Sequence, residues 1–274
     1  MIAHDKPTNV AGSVAGWVDR VATLPRPLLL AFDVDGTLAP IVADASKARV
    51  PVVVQRALAR LGALPGVQLA VITGRDYGPL RTMLPIANSY RAMEHGAVLL
   101  GPGDVRRPGL PAPALQAKLE RFEAWVRDHA VPHGAELERK RASRAIHVRT
   151  LLATNPTLAE GLLHEAKRVA LTVGLRPREG RALIEAELAA ADKGQALRRI
   201  VRRSGARGVF FAGDDFTDMS ALSQAVELGG VGLFVRSDER PQAPDGVSGA
   251  VEGPEDMAAL VCGLAQRLCR RGAR

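Results

Sequence analysis

Aromatic residues are scarce in this chain, whose 274 residues include only six Phe, two Tyr and two Trp. Small aliphatic side chains must therefore fill the interior, which disfavours an aromatic-rich β-sandwich and favours α/β layers. Because 47% of the residues are hydrophobic, the chain has enough apolar material for one large domain or two coupled domains. The same composition argues against a disordered chain.

Cysteine and long apolar runs are also sparse. Cys262 and Cys269 lie seven residues apart in a segment with helical periodicity, so both can face one side as small apolar residues. We expect neither a disulfide nor a metal role for them. No apolar run is long enough to span a bilayer, and residues 1–7 lack the charged start and apolar stretch of a secretory signal. We therefore expect a soluble cytoplasmic protein.

Acidic residues are outnumbered, since 29 Asp and Glu stand against 37 Lys and Arg and leave a net charge of +8. This balance fits nucleic acid, an anionic membrane surface or a small anionic substrate, and charge alone does not choose among them. No aromatic stacking residues accompany the densest group of arginines, so nucleic-acid binding is the disfavoured alternative. That group comprises Arg198, Arg199, Arg202, Arg203 and Arg207 on a predicted helix and its exit, and a second group, Arg267, Arg270, Arg271 and Arg274, ends the chain.

Apolar runs that end abruptly in polar residues predict the strands of a buried parallel sheet. The run over residues 27–36 is apolar until it ends in two carboxylates and a glycine, and the run over residues 67–72 ends at Thr73. Helical spacing over residues 52–64 joins these two strands into a βαβ unit. Further strands are predicted around residues 89–100, 208–212 and 231–235.

The pattern changes in the middle of the chain. Seven Gly or Pro residues between positions 101 and 113 predict a linker. Beyond it, helical patterns flank an alternating polar stretch, which predicts an antiparallel sheet with helices on one face. The predicted helices cover residues 114–131 and 158–171, two antiparallel strands fall within residues 136–149, and more strands follow to about residue 188.

The predicted fold class is therefore α/β, a Rossmann-like doubly wound parallel sheet with an inserted smaller α+β domain. The predicted boundaries are residues 1–107 for the first part of the core, 108–188 for the inserted domain and 189–274 for the second part.

Polar residues follow three of the predicted parallel strands. In an open α/β sheet, ligands bind beyond the carboxyl ends of the strands, so these side chains should converge in one crevice. Any one of them alone fits a turn or a helix cap equally well, but their convergence favours a functional site. Clustered carboxylates without His or Cys favour Mg²⁺, which commonly shares its ligand positions with phosphate oxygens. The residues are Asp33 and Asp35, then Thr73, then Asp214, Asp215 and Asp218.

Four segments resemble, in order, the motifs of the haloacid dehalogenase superfamily in its phosphatase branch. The resemblance implies that Asp33 is the nucleophile and that Asp35 is the general acid and base. Mg²⁺ would be held by Asp33, by the Asp35 backbone carbonyl and by Asp214. The segments are Asp33-Val34-Asp35-Gly36-Thr37, Thr73-Gly74-Arg75, Lys193-Gly194 and Gly213-Asp214-Asp215-Phe216-Thr217-Asp218.

The same resemblance assigns the remaining motif residues. Phosphate would be bound by Thr73, Gly74, Arg75 and Lys193, whereas Asp215 and Asp218 would either bind Mg²⁺ or support its ligands. An exposed lysine at a helix start is the alternative for Lys193. A positive charge is unfavourable at a helix N-terminus, however, unless it faces an anion held there.

Sugar-binding residues are implied by a closer resemblance, to trehalose-6-phosphate phosphatases. Glu138-Arg139-Lys140, His147-Val148-Arg149 and Glu94-His95-Gly96-Ala97 resemble segments of that family. They imply hydrolysis of trehalose 6-phosphate, a small-molecule substrate, by a monomer or weak dimer that binds no membrane. Charged side chains can hydrogen-bond several sugar hydroxyls, although a surface ion pair or a packed histidine is the alternative. The implied sugar ligands are His95, Glu138, Lys140, His147, Arg149 and Glu185.

Two segments depart from the pattern of that family. Where it has Glu-x-Arg/Lys-Pro, this chain has Glu185-Ala186-Glu187-Leu188, and Met219 stands where a glutamate is usual. The first departure leaves the sugar open, so another phosphosugar, such as sucrose phosphate or a glycosyl-phosphoglycerate, is the alternative substrate.

Overall fold

The computed structural model describes residues 12–42, 44–86, 88–104, 111–188 and 192–272, which contain eleven β-strands and nine α-helices. The strands are β1 Leu28–Phe32, β2 Val67–Ile72, β3 Tyr90–Met93, β4 Val98–Leu100, β5 Glu136–Arg139, β6 Ser143–His147, β7 Arg176–Gly180, β8 Leu183–Glu187, β9 Gly208–Gly213, β10 Val231–Arg236 and β11 Gly249–Glu252. The helices are α1 Val14–Ala22, α2 Val52–Gly62, α3 Tyr77–Met83, α4 Pro113–His129, α5 Arg149–Thr154, α6 Pro156–Thr172, α7 Lys193–Ser204, α8 Met219–Glu227 and α9 Gly253–Gly272.

The chain divides into two compact units. In the described residues, the main unit comprises the segments up to residue 104 and from residue 192 onward, and the inserted unit comprises residues 111–188. The predicted boundaries at 107/108 and 188/189 fall on or beside positions outside the described residues. None of the described helices is both long and apolar enough to cross a membrane.

A seven-stranded sheet organises the main unit, in the order β11-β10-β9-β1-β2-β3-β4. All neighbouring strands run parallel except β3 and β4, which are antiparallel. Strand β1 is central and completely buried, because alternate side chains enter apolar cores on opposite faces of the sheet. Leu30 and Phe32 lie in the core with α1, α2 and α9, whereas Leu29 and Ala31 lie in the core with α7 and α8.

The inserted unit has its own four-stranded antiparallel sheet, in the order β5-β6-β8-β7. One face of this sheet packs against α4 and α6 through a separate apolar core that contains Phe122, Ile146 and Ile184. Because strand side chains alternate between faces, the residues between these apolar positions lie on the opposite face. Cross-strand pairing aligns Glu138, Ala145 and Glu185 there in one row.

The predicted fold class is confirmed, a doubly wound sheet with an inserted α+β unit. Three details differ from the sequence prediction. The strand predicted around residues 89–100 is two antiparallel strands, because Glu94 and His95 have φ values of 48° and 56° and turn the chain back. Arg149 begins helix α5 and does not continue a strand. The edge strand β11 was not predicted, since its short run has no periodicity of its own.

Candidate active site

The polar residues that end the central parallel strands lie at one edge of the main sheet. Asp33 follows β1, Thr73 follows β2 and Asp214 follows β9, and β1 pairs with both other strands. The Asp33 N–H donates to the carbonyl of Ala212 at 2.9 Å, which fixes the start of its loop against β9. Convergence at the carboxyl edge therefore follows from parallel pairing in register.

Three carboxylates and one ammonium group form the buried centre of this edge. Asp33, Asp214 and Asp218 each place an oxygen within 4.8 Å of the others. The Lys193 Nζ lies 3.0 Å from an oxygen of Asp33 and donates to Asp218 at 2.7 Å. All four residues are at most 5% exposed, so the group has a formal charge of −2 with little access to water.

Burial dominates the electrostatics of this group. Desolvation raises the pKa of Asp33 well above its ordinary value, and the charges of Asp218 and Asp214 raise it further while Lys193 lowers it. Desolvation, with the charge of Asp218, raises the pKa of Asp214 from 3.8 to about 7. Desolvation also raises the pKa of Asp218, against the opposing influence of Lys193. The pKa of Lys193 is raised because the two neighbouring carboxylates outweigh the effect of its burial. The single positive charge of Lys193 thus does not balance the negative charges of the three carboxylates.

The donor set fits a divalent cation. An octahedral Mg²⁺ with ligands at about 2.1 Å separates neighbouring ligand atoms by about 3 Å and opposite ones by about 4 Å, which the limit of 4.8 Å accommodates. The three carboxylates offer oxygen ligands, the type that hard cations prefer. A bound divalent cation would offset the formal charge of −2 and lower the pKa values of the three carboxyl groups.

Gly36 and Thr37 determine where the carboxylate of Asp214 lies. The Thr37 hydroxyl donates to Asp214 Oδ1 at 3.3 Å. Gly36 has a φ of +78°, and a Cβ at this position would lie 2.0 Å from Asp214 Oδ2. The loop after β1 therefore needs glycine for both its backbone conformation and the close approach of Asp214. Thr37 lies within the first motif, but its sequence position predicted no role for it.

Asp35 is held by Arg75. The guanidinium donates two parallel hydrogen bonds to the carboxylate, from Nε to Oδ2 and from one terminal nitrogen to Oδ1, both at 2.6 Å. Such a fork fixes both the position and the plane of a carboxylate. Arg75 was predicted to bind phosphate, and the structure shows its side chain on Asp35. The general acid and base assigned by resemblance is thus oriented by a residue of the second motif.

Thr73, Gly74 and His95 lie together at the carboxyl edge of the sheet. The Thr73 carbonyl accepts a hydrogen bond from the N–H of His95 at 2.9 Å, and the Thr73 hydroxyl accepts one from the N–H of Arg75 at 3.2 Å. A Cβ on Gly74 would lie 2.6 Å from the imidazole of His95. Gly74 therefore leaves room for the ring of His95, a role that differs from the predicted phosphate contact.

Asp215 and Asp218 occupy different positions. Asp218 belongs to the buried carboxylate group and also accepts a hydrogen bond from the N–H of Asp215 at 3.1 Å. The carboxylate of Asp215 accepts a hydrogen bond from the N–H of Phe216 and forms an ion pair with Arg240, on the turn after β10. Of these two residues, only Asp218 is placed among the possible cation ligands. No motif pointed to Arg240.

The inserted unit carries a linked set of charged side chains on the polar face of its sheet. Lys140 Nζ lies 2.8 Å from Glu185 Oε1 and 4.0 Å from Glu138 Oε2, and His147 Nε2 lies 2.9 Å from Glu138 Oε2. The hydroxyl of Ser143 donates to Glu185 Oε1 at 2.5 Å. Four of the predicted sugar ligands are therefore brought together, and Ser143 is an addition that the sequence did not predict.

Arg149 and Glu187 of the inserted unit differ in position, because Arg149 has left the sheet whereas Glu187 shares a face of β8 with Glu185. Arg149 is exposed at the start of α5, where the chain has left the sheet. Glu187, the acidic residue at a position that is basic in the family resembled, binds the guanidinium of Arg178 on the neighbouring strand at 2.7 and 3.2 Å. Desolvation raises the pKa of Glu187, and Arg178 opposes that shift. A basic group is thus present beside position 187, but it comes from β7.

A doubly wound sheet with buried carboxylates at its carboxyl edge defines a fold of the haloacid dehalogenase type. The trehalose-phosphatase family model matches residues 31–246, and the chain belongs to that family. The match includes every residue of the candidate active site described above.

Individual relatives carry the same family description. The trehalose-phosphate phosphatases of Mycobacterium ulcerans and Mycobacterium marinum are 30% and 31% identical over 258 residues, which cover 91% of this chain. The aligned region spans 64% of each relative, a little under two thirds of its length. The structure of the C-terminal domain of Candida albicans trehalose-6-phosphate phosphatase covers 94% of this chain and 98% of its own, with a TM-score of 0.74 and 21% identity. The similarity to the Candida albicans domain shows that the two chains share a fold.

Proposed function

We propose that this protein hydrolyses trehalose 6-phosphate to trehalose and phosphate through an aspartyl-phosphate on Asp33. The observation that carries the proposal is the buried group of Asp33, Asp214, Asp218 and Lys193 in a chain of the trehalose-phosphatase family. A carboxylate nucleophile needs an adjacent positive charge and a partner for the transferred phosphoryl oxygens, and this group offers both.

Asp33 and Lys193 act on the phosphoryl group. An oxygen of Asp33 attacks phosphorus, a new P–O bond forms, and the bond from phosphorus to the sugar oxygen breaks. Lys193 remains charged because its pKa is raised, so its ammonium group stabilises the negative phosphoryl oxygens as they move. The hydroxyl of Thr73, at the end of the adjacent strand, donates to the same oxygens.

Asp35 transfers the protons. Its carboxyl group protonates the departing sugar oxygen, and the resulting carboxylate then removes a proton from the water that attacks the aspartyl-phosphate. This second step releases phosphate and restores Asp33. The fork from Arg75 holds the Asp35 carboxylate in one plane, which keeps it aligned for the second transfer, in which it accepts a proton from water.

Mg²⁺ is the proposed cofactor, and Asp33, Asp214 and the backbone carbonyl of Asp35 would hold it. An oxygen of Asp218 lies within 4.8 Å of oxygens of Asp33 and Asp214. When bound, it offsets the charges of these carboxylates and of the phosphoryl oxygens. A bound cation would favour the ionised form of Asp33, which is the form that can attack phosphorus.

The polar face of the inserted unit is the proposed sugar-binding surface. Trehalose offers only hydroxyl groups, and Glu138, Lys140, His147 and Glu185 together present charged donors and acceptors that can bind several hydroxyls. The mutual hydrogen bonds of these side chains fix their positions before substrate arrives, which reduces the entropy lost on binding.

A phosphate-release assay with a substrate panel tests the proposal. With Mg²⁺ present, trehalose 6-phosphate should be hydrolysed at least about tenfold faster than glucose 6-phosphate, and EDTA should stop the reaction. Equal rates for the two sugars would remove the preference for a disaccharide. Sucrose phosphate and a glycosyl-phosphoglycerate belong in the panel, because Glu187 and Leu188 leave another phosphosugar as the second candidate.

The nucleophile is tested by Asp33→Asn, which should abolish turnover while the circular dichroism spectrum and thermal melting remain those of a folded protein. Asp44→Asn makes the same chemical change at an exposed loop residue, whose carboxylate bonds Ser46, and serves as the matched control. Residual turnover in Asp33→Asn above the contamination level would disprove the aspartyl-phosphate.

A further inference from the structure

Arg240 lies on a tight turn that follows β10, the strand next to β9 in the main sheet. The N–H of Arg240 donates to the carbonyl of Ser237 at 2.9 Å and lies 3.2 Å from the Ser237 hydroxyl. The N–H of Ser237 in return donates to the carbonyl of Arg240 at 3.2 Å. These reciprocal bonds fix the backbone from which the guanidinium extends.

The guanidinium contacts three consecutive residues of the loop after β9. It forms an ion pair with the carboxylate of Asp215 and lies 3.4 Å from the carbonyl oxygen of Asp214. It also lies over the ring of Phe216, at 4.5 Å from the ring centroid. One side chain thus binds the loop through a charge, through the main chain and through an aromatic face.

This contact explains an exposed aromatic residue. Phe216 is 76% exposed, the largest exposed fraction among the large hydrophobic side chains that the structure describes. An exposed phenylalanine adds little to the apolar core, but its face attracts a cation. Phe216 therefore packs its ring against the guanidinium of Arg240, and the side chain of Arg240 is only 32% exposed.

We propose that Arg240 is a positioning residue for the cation site, and that it holds the loop of Asp214 at the distance from Asp33 that a divalent cation requires. The inference rests on the proposed function, because it assumes that these carboxylates bind Mg²⁺. This role requires no contact of Arg240 with the substrate or the cation. Arg240 acts through the main chain of Asp214, which lies outside regular secondary structure, and through Asp215, which caps the short 3₁₀ helix Phe216–Asp218.

The direction in which Mg²⁺ affinity changes when Arg240 is removed separates a positioning role from a purely electrostatic one. Arg240 brings a positive charge close to the cation site, so its removal by electrostatics alone would make Mg²⁺ bind more tightly. If Arg240 fixes the loop, its removal frees Asp214 to move, and Mg²⁺ must then order that loop on binding. Positioning therefore predicts weaker binding, the opposite result.

Calorimetric titration of Mg²⁺ into the metal-free full-length protein, without substrate, measures this effect. We expect Arg240→Gln to weaken Mg²⁺ binding about tenfold, since an ion pair and a cation–π contact are lost together. Arg240→Lys keeps the charge and the aromatic contact and should recover part of the affinity. Binding by Arg240→Gln that equals or exceeds that of the wild type would overturn the proposal.

Arg236→Gln is the matched control. Arg236 ends the same strand β10 and pairs with Glu252 of β11, so this variant also loses a single ion pair at the end of the sheet. Its Mg²⁺ affinity should stay within about twofold of the wild type. A loss as large as in Arg240→Gln would show a general effect of the sheet edge and would overturn the proposal.

Kinetics provide an independent measurement. Arg240→Gln should need more Mg²⁺ for half-maximal activity, while at saturating Mg²⁺ the KM for the phosphosugar should remain that of the wild type. If the wild type binds Mg²⁺ in an Arg240-dependent way but hydrolyses no trehalose 6-phosphate, the proposed function fails and the role of Arg240 stands. If the wild type hydrolyses the substrate and Arg240→Gln needs no more Mg²⁺ than the wild type, the proposed function stands and the role of Arg240 fails. Failure of the wild type to bind Mg²⁺ would overturn both.

Discussion

Replacing Gly36 by alanine tests whether the position of Asp214 limits activity. The substitution adds one methyl group to the loop after β1 and leaves every charge in place. The added Cβ would lie 2.0 Å from Asp214 Oδ2, whereas ordinary van der Waals contact begins at 3.4 Å. The carboxylate must therefore retreat by about 1.0 Å to reach 3.0 Å, the shortest contact that Cβ atoms make, and by about 1.4 Å to reach ordinary contact.

The expected effects on stability and on activity differ. Alanine at a φ of +78° costs about 1 kcal/mol of folding free energy. The clash adds little to this, because the far end of a side chain can move. For activity, a displacement of about 1 Å in a catalytic group can cost about 100-fold, and Asp214 is a proposed cation ligand. We therefore expect kcat/KM to fall about 100-fold.

Gly246→Ala is the matched control for this prediction. Gly246 has a φ of +82°, and a Cβ there would meet nothing within 4 Å. Urea unfolding should give both variants a similar loss of stability, whereas phosphate release should be reduced only in Gly36→Ala. Wild-type activity in Gly36→Ala, or an equal loss in both variants, would show that the proximity of Gly36 to Asp214 has no functional consequence.

Three further predictions concern the carboxyl group of Asp214, the ion pair of Arg75 with Asp35 and the buried ring of Phe122. The raised pKa of Asp214, about 7, means that the folded metal-free protein binds this proton more tightly than the unfolded chain, so its stability should fall as the pH rises from about 4 to about 7. The raised pKa values of Asp33 and Asp218 add to the same trend, so urea unfolding in EDTA should show a loss that is smaller in Asp214→Asn than in the wild type, by about 2 to 4 kcal/mol over this range; an equal pH dependence in both proteins would contradict the assignment. Arg75→Lys keeps the charge but loses the fork on Asp35, so kcat should fall about tenfold with little change in KM; an unchanged kcat would disprove the alignment role. Phe122→Ala removes a completely buried ring from the core of the inserted unit and should lower its unfolding free energy by about 3 kcal/mol, measured by urea unfolding, and a loss below about 1 kcal/mol would show that this core tolerates the cavity.

The local sequence pattern was sufficient to predict most strands of the main sheet. The runs that became β1, β2, β9 and β10 are apolar throughout because both faces of a central parallel strand are buried. The polar residues that follow them mark the sheet edge. Strand β11 escaped prediction because an edge strand of four residues gains its pairing from β10 and not from its own sequence.

The candidate site was predictable only where its residues belong to local motifs. Asp33, Thr73 and Asp214 could be placed because each ends a predicted strand, and parallel pairing brings strand ends together. The sequence did not separate Asp215 from Asp218, because both lie on the same short loop. Their difference arises from packing, since only Asp218 turns inward to Lys193, which is 25 residues earlier in the chain.

Sequence by itself determined the order of the elements, the burial of the strands and the carboxylates at their ends, because these depend on the spacing of residues along the chain. Tertiary structure alone decided the fork of Arg75 on Asp35, the pairing of Glu187 with Arg178 and the contact of Arg240 with the loop of Asp214. Each of these joins side chains on separate elements. Their meeting depends on how strands pair and turns close, which no local pattern encodes.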